Sequence, residues 1–398
     1  MADVRIDSLD DALVAVAQVA PVAREHAQKA EDGRTLPSEV VSAIADAGLW
    51  RIFAPQAVGG AGMMGLAEQF EIVRAMAYED SSAAWGLFIC GSFGGLLGSR
   101  LTKAGREEVF ADGVPPIAGA FAPGGGSAAP VDGGVVVNGR WPFASGVGYA
   151  GWILANTVLL DESGAPRPGT GGLPAIGSVV VRSEDIGIID DWHVAGLRGT
   201  GSMTFTMTDV TVPAHRTFTL FGPPQIDEPK YQLPTMTLVA PSFAAMAVGL
   251  AQRALDEVLG VLPTRFSPPP TPEPASADPV NQAILGRSLA AVRGALESTK
   301  SIYARYDTRI AAGETLSGLA LADRAEIHQH TLWAAETCRD VVNELFRLGG
   351  GSAIYEPGTL QRIWRDINVL TQHLYLREVH HQTVGKIALG LDVVAPFI

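Results

Sequence analysis

"WHVAGLRGTGSMTFTMTDVTVP", residues 192–213, changes texture half-way along. A Trp and a Gly-rich turn come first. An alternating apolar and polar run follows and ends at Pro213, the pattern of a half-buried strand. The same texture lies around it, in "VDGGVVVNGRWPFAS" (131–145), "WILANTVLL" (152–160) and "IGSVVVR" (176–182). Gly, Asp and Pro break these short runs, as they do in an antiparallel sandwich or barrel.

Outward from this region the periodicity becomes helical. "DDALVAVAQVAPVAREHAQKAED" (10–32) has apolar residues at helical spacing, with Pro21 expected to kink or split it. "LPSEVVSAIADAGLWRIF" (36–53) takes Ser38 as its N-cap and stops at Gly48. "AEQFEIVRAMAYEDSSAAWGLFICGSF" (67–93) makes two helices punctuated by Asp80 and Ser81. Helical patterning returns after residue 235 and holds to about 390, interrupted by the Pro-rich "FSPPPTPEPASADP" (266–279), which reads as an exposed or mobile loop. The expected class is α+β: helices over 1–115, a β-domain over 116–228 and helices over 229–398. No internal repeat is evident.

The chain has 398 residues, 47% hydrophobic and 18% charged, enough to bury a sizeable core. A formal net charge of −13 with no basic run argues against nucleic-acid partners. Cys90 and Cys338 stand in apolar helical contexts, where buried inert thiols are expected rather than a disulfide framework. The acidic start "MADVRIDSLDDALVAVAQ" lacks the cationic region of a signal peptide. The two most apolar stretches, within 86–101 and 241–259, read as too short or too interrupted to span a bilayer. The expected location is the cytoplasm, away from membranes.

"GVGYAG" (146–151) matches a dinucleotide fingerprint in letters only, because the residues after it read as a strand and not a helix. "WPFASG" (141–146) and "DWHVAGLRGTGS" (191–202) place Trp and small hydroxyl residues beside Gly-rich turns. Gly lets backbone N–H groups approach a flat or anionic ligand. Ser145, Thr200 and Ser202 can donate hydrogen bonds without bulk, and Trp141, Phe143 and Trp192 can supply apolar walls. Taken singly, each segment is equally compatible with an ordinary β-turn beside a core aromatic.

Together four segments carry a resemblance. "DAGLWRIFAPQAVGGAG" (46–62), "NGRWPFASGVGYAGW" (138–152), residues 192–213 and "LQRIWRDINVLTQH" (360–373) resemble, in that order, the acyl-CoA dehydrogenase superfamily. The likeness is closer to its monooxygenase branch, the oxygenase components of two-component flavin-dependent systems. It covers almost the whole chain. It implies an N-terminal helical domain, a central antiparallel β-domain and a C-terminal four-helix bundle, usually as a homotetramer, with flavin between β-domain and bundle.

A dehydrogenase of this family needs a carboxylate base. The family places it about ten residues after an Arg-Asp pair, where this chain reads "HLYL" (373–376), or on the first bundle helix, where "TLVAPSFAAMAVG" (237–249) has no acid. Glu356 and Glu378 lie off either register. His373 falls where resembling monooxygenases carry a histidine facing the flavin, as acid/base or hydrogen-bonding group. Ser145 matches the serine that hydrogen-bonds flavin N5, and Arg265 is a candidate contact for flavin phosphate across a subunit boundary. Arg365 and Asp366 are expected as a structural ion pair. Phenol hydroxylases of this branch often carry a second histidine two turns after the Trp of the segment resembling 81–95, but this chain has Ser92 and Phe93 there. His328, His330, His380 and His381 lack the carboxylate or Cys partners of a metal set.

The resemblance thus implies a monooxygenase that takes FMNH2 or FADH2 from a separate NAD(P)H:flavin reductase. It would react with O2 through a flavin C4a-hydroperoxide and oxygenate a small organic substrate, aromatic or heteroatom-containing. A flavin dehydrogenase or oxidase with tightly held FAD is the alternative, and a non-enzymatic partner-binding member of the fold is a second one. Bound yellow flavin after purification distinguishes the dehydrogenase or oxidase.

Overall fold

The computed structural model describes residues 6–62, 65–122, 125–169, 172–219, 222–266, 273–314, 319–356 and 358–393. Residues 267–272 of the Pro-rich stretch lie outside the described residues. The first helix, α1 (Leu9–Glu25), starts at Ser8, whose Oγ accepts from the Asp11 N–H at 3.2 Å. Pro21 does not split it. The helix runs on to Glu25 and breaks at His26, because Val19, Ala20 and Ala23 are buried on both sides of the proline and offset its missing hydrogen bond. After α2 (Ala27–Gly33), α3 (Ser38–Asp46) has Pro37 at its cap, so Ser38 is the first helical residue and not the cap. Gly48, at φ 69°, follows the end of α3, as expected. Asp80 separates α4 (Leu66–Glu79) from α5 (Ser81–Arg100), its Oδ1 accepting from the Ala83 N–H at 2.8 Å. The short α6 (Lys103–Val109) leads into the strands.

The strands are β1 (Ile117–Ala120), β2 (Ser127–Val131), β3 (Gly134–Ala144), β4 (Trp152–Leu159), β5 (Ile176–Arg182), β6 (Gly187–Ile189), β7 (Met203–Pro213) and β8 (Thr217–Phe218). They form one sheet in the order β6-β7-β3-β2-β4-β5-β8, with β1 also on β4. The sheet is mostly antiparallel. It departs from the antiparallel expectation where β4 pairs parallel to both β1 and β2. The β2–β3 hairpin between them is the connection that lets β4 run in their direction. Both faces of β4 and β5 are covered. Ile153, Ala155, Val179 and Val181 pack with Trp141 and Phe205, whereas Trp152, Leu154 and Val180 pack with Phe93, Leu97 and Phe110 of α5 and its neighbourhood. That is why these strands read as near-continuous apolar runs.

The C-terminal helices are α7 (Thr235–Val261), α8 (Pro279–Ala311), α9 (Leu321–Leu348), α10 (Thr359–Leu370) and α11 (Val379–Ala388). The chain divides into two compact units: Met1–Met64, Trp85–His193 and Arg198–Thr235 in one, and Gly65–Ala84, Val194–Leu197 and Met236–Ile398 in the other. The second unit therefore includes α4 from far upstream. Gly249 lets α7 come close to it, since a Cβ there would lie 2.6 Å from the Arg74 carbonyl oxygen. Gln69 of α4 donates to the Leu238 carbonyl and to Ser242 Oγ, each at 2.9 Å. Tyr303 and Thr331 join α8 to α9 at 2.9 Å, and Trp364 of α10 stacks on Phe346 of α9 with centroids 4.8 Å apart.

Contrary to the expectation from 86–101 and 241–259, α5 and α7 are continuous and by length and composition could cross a membrane. In each, most of the apolar window is buried, at 89% and 78%, which accounts for its composition.

Candidate active site

The β-containing unit builds a polar row at the end of β3. Ser145 begins the turn that leads to β4, and Gly146 (φ 79°) holds the backbone there. A Cβ on Gly146 would sit 2.7 Å from Cys90 Sγ and 2.9 Å from Tyr149 Oη, so only glycine fits without movement. The Gly146 N–H donates to the Thr200 carbonyl at 3.0 Å and ties this turn to the start of β7. Ser145 Oγ then lies 2.7 Å from Ser202 Oγ, which lies 2.8 Å from Thr200 Oγ1. All three are buried. The Trp85 indole N–H donates to Ser145 Oγ at 2.8 Å. Nothing in the local sequence marks Trp85 as a partner of a residue 60 positions later.

Two aromatic side chains show an apolar face in the same unit. The β3–β7 register shifts between Trp141 and Ala144, and within that irregularity Phe143 takes φ 63°, a conformation costly for a bulky residue. Its ring is 71% exposed and meets Trp192 edge to face at 6.2 Å. Trp141 goes the other way. It is fully buried, stacks on Phe205 at 5.1 Å and donates its indole N–H to the Asn156 carbonyl at 2.7 Å. The structure thus brings together Phe143 with Trp192 and Ser145 with Thr200 and Ser202, and puts Trp141 in the sheet core. "GVGYAG" is a turn between two strands and opens no helix.

In the helical unit, α10 ends at Leu370 and the chain turns at His373. His373 Nδ1 accepts from the Tyr375 N–H at 3.2 Å, and its ring packs on Phe243 with centroids 4.6 Å apart. Phe243 also stacks on Tyr375, at 4.9 Å. The two stretches that carry a base in a dehydrogenase of the resembling family, 237–249 and 373–376, therefore meet, with aromatic rings and an imidazole at the meeting point. Desolvation lowers the His373 pKa to about 4, so the ring is neutral at pH 7. With Nδ1 accepting, the hydrogen of the neutral ring is on Nε2, which acts as a donor.

Asp366 is buried and accepts from Ser81 Oγ at 2.5 Å and from the Leu197 N–H at 2.6 Å. Arg365 donates to Gln361 Oε1 at 2.7 Å and to the Ala195 carbonyl at 2.8 Å. The two side chains thus brace different segments. Arg265 donates to the Leu348 carbonyl at 2.5 Å and borders a cavity of about 590 Å³ with Glu273, Asp278 and Gly350. Gly350 lies beside it at φ 65°, a left-handed conformation that favours glycine. Cys90 and Cys338 are buried free thiols, each pushed up to about 12 by desolvation. Among the described residues no group of three or more His, Cys, Asp or Glu is placed to hold a metal ion.

Comparison with known proteins matches residues 12–120 to the acyl-CoA dehydrogenase N-terminal domain and 242–378 to the acyl-CoA dehydrogenase C-terminal domain. The chain is 29% identical over 388 residues to a pigment production hydroxylase of a Rhodococcus species, covering 95% of this chain and 96% of that one. It is 28% identical over 371 residues to the flavin-dependent monooxygenase oxygenase subunit HsaA of Mycobacterium tuberculosis, covering 91% and 90%. Among solved structures, XiaF from a Streptomyces species, in complex with FADH2 and glycerol, superposes with a TM-score of 0.88 at 23% identity, covering 98% and 97%, a likeness of fold. The chain belongs to the acyl-CoA dehydrogenase superfamily, and the relatives it resembles along nearly its whole length include that family's flavin-dependent monooxygenases.

Proposed function

We propose that the protein is the oxygenase component of a two-component flavin-dependent monooxygenase, acting on a small aromatic or heteroatom-containing substrate. The observation that carries this reading is the meeting of 237–249 with 373–376. Where a dehydrogenase of this family would aim a carboxylate, this chain has Phe243, Tyr375 and a neutral His373. Without that base, removal of a substrate proton ahead of hydride transfer has no agent.

The residues suit a flavin. Phe143 and Trp192 offer apolar ring surface, and the buried row of Ser145, Ser202 and Thr200 offers hydrogen bonds to a polar edge. Trp141 supports the strand beneath them from the core. Arg265, beside the glycine turn at 350, is the cation for a flavin phosphate. Reduced flavin supplies the two electrons that split O2, one oxygen atom entering the substrate and the other leaving as water. His373 gives a hydrogen bond from Nε2 and keeps its proton, so its role is donor and not base. A separate NAD(P)H:flavin reductase in the cytoplasm supplies the reduced FMN or FAD, in line with the "oxygenase subunit" naming of the HsaA relative.

The test is absorbance and oxygen uptake. Purified protein should be largely colourless, bind photoreduced flavin more tightly than oxidised flavin, and consume O2 only when reduced flavin is supplied. Stoichiometric FAD that survives gel filtration and is bleached anaerobically by an acyl-CoA would establish a dehydrogenase instead.

A further inference from the structure

We propose that His380 is a positioning residue that acts on His373 through the peptide between Leu374 and Tyr375. The proposal rests on the reading of His373 as a hydrogen-bond donor in the active site, and adds how the helical unit sets that donor.

Three contacts run head to tail, and the atom types fix the sense of each. A carbonyl oxygen can only accept and a backbone N–H can only donate. His380 Nε2 lies 2.8 Å from the Leu374 carbonyl oxygen, so the imidazole donates there. The same peptide unit carries the Tyr375 N–H, which donates to His373 Nδ1 at 3.2 Å. A neutral His373 that accepts at Nδ1 has its hydrogen on Nε2. Hydrogen bonds in such a chain polarise one another. Donation to the carbonyl strengthens the N–H at the other end of the peptide, and acceptance at Nδ1 strengthens the hydrogen on Nε2. Every link therefore favours donation from His373 Nε2.

The next peptide is held as well. His328 Nε2, on α9, lies 2.8 Å from the Tyr375 carbonyl oxygen and donates to it. The His328 ring stacks on the Tyr375 ring with centroids 4.1 Å apart, and its centroid is 4.8 Å from that of His380. His381, beside His380, meets Glu336 Oε2 at 3.0 Å and ties α11 to α9. His328, Tyr375 and His380 are buried, whereas His373 is half-buried. The frame is thus shielded from water, and the imidazole it orients stays partly accessible.

His380→Phe keeps a ring and removes the donor, whereas His380→Gln has no ring and keeps an N–H at about the reach of Nε2. Selective nitrogen-isotope labelling of histidine and tyrosine, in full-length protein without flavin at pH 8, reads the chain of contacts by NMR. The Tyr375 amide and His373 Nδ1 resonances should both move in H380F and return toward wild type in H380Q. Ring packing alone would not be restored by Gln. On activity, H380F should lower product formation by about five-fold, the scale of one hydrogen bond, with the Kd of reduced flavin unchanged. In a His373→Ala background the same substitution should lower product formation no further, because His380 acts through that imidazole.

If His373→Ala alone forms product at the wild-type rate, the reading of His373 fails, and this proposal with it. If His373→Ala is impaired but H380F leaves the two resonances in place, or lowers product formation equally with and without His373, only the role of His380 is overturned. Failure of H380Q to restore the resonances overturns it too. Should the His380 variants fold poorly, the His380 tautomer in the wild type decides. A hydrogen on Nε2 supports the proposal, and a hydrogen on Nδ1 alone, which cannot reach the Leu374 carbonyl, overturns it.

Discussion

His373 illustrates how much of a residue's chemistry is set by two neighbours. The Tyr375 N–H claims Nδ1, and desolvation holds the ring neutral down to about pH 4. In the unfolded chain the same imidazole takes up a proton near its ordinary pKa of about 6.5. Between those values the unfolded state binds the extra proton, so stability falls as pH drops from about 6.5 to 4, by up to about 3 kcal/mol. His373→Gln should remove that loss. Urea midpoints at pH 7.5 and pH 5 should differ more in the wild type than in the variant, and an equal difference in both would show that the ring titrates normally. On activity, His373→Ala should leave flavin binding nearly intact and lower product formation by about 10²-fold, the loss of one donor from a preorganised site. Wild-type turnover in the variant would reduce His373 to packing. The two thiols give a simpler test. Cys90 and Cys338, both buried and raised to about 12, should be silent to a thiol reagent in native protein and react only after denaturation.

At the scale of elements, two short-range geometries hold long-range structure. Asp307 of α8 accepts from the backbone N–H groups of Leu66 and Ala67 at 2.7 and 2.8 Å, and so caps α4 from 240 residues away. Gly65 makes room, since a Cβ there would lie 2.6 Å from the carboxylate. Asp307→Ala should cost about 1–2 kcal/mol in denaturant unfolding, with Asp307→Asn recovering part of it. An Ala variant as stable as wild type would mean that the first turn of α4 needs no such cap. The turn after β3 depends on Gly146 in the same local way. Gly146→Ala should cost about 1–3 kcal/mol and also disturb flavin binding, because the clash with Cys90 and Tyr149 falls beside Ser145. A stability loss without any change in flavin affinity would separate the turn from the site.

For the whole molecule, the outer surface of the helical unit is the feature to explain. Leu289 of α8 and Trp333 of α9 remain more than 40% exposed, and Val280 and Leu259 add further apolar area. Such surface is usually covered by copies of the same chain. The expected assembly is a homotetramer, or a dimer if only one face is used, and light scattering at micromolar concentration decides. A monomer there would also remove any contribution of Arg265 to a flavin held by a second subunit.

The order of helices, strands and helices followed from the sequence alone, because a period of two residues and a period near 3.6 leave different marks on where apolar residues fall. The segments around Ser145, Thr200 and His373 were legible too, since Gly-rich turns beside hydroxyls and a missing carboxylate are visible as letters. Strand alternation, however, puts Trp141 and Phe143 on the same side of β3. Only the register shift against β7, with Phe143 at φ 63°, separates a core indole from an exposed ring. The continuity of α1 through Pro21 was decided by what its flanking residues bury. Trp85 on Ser145, Asp307 on α4 and Phe243 on His373 join positions 60 to 241 residues apart. Sequence periodicity records which face of an element is apolar; which side chain meets it is set by the packing of elements distant in the chain, and that exists only once the chain has folded.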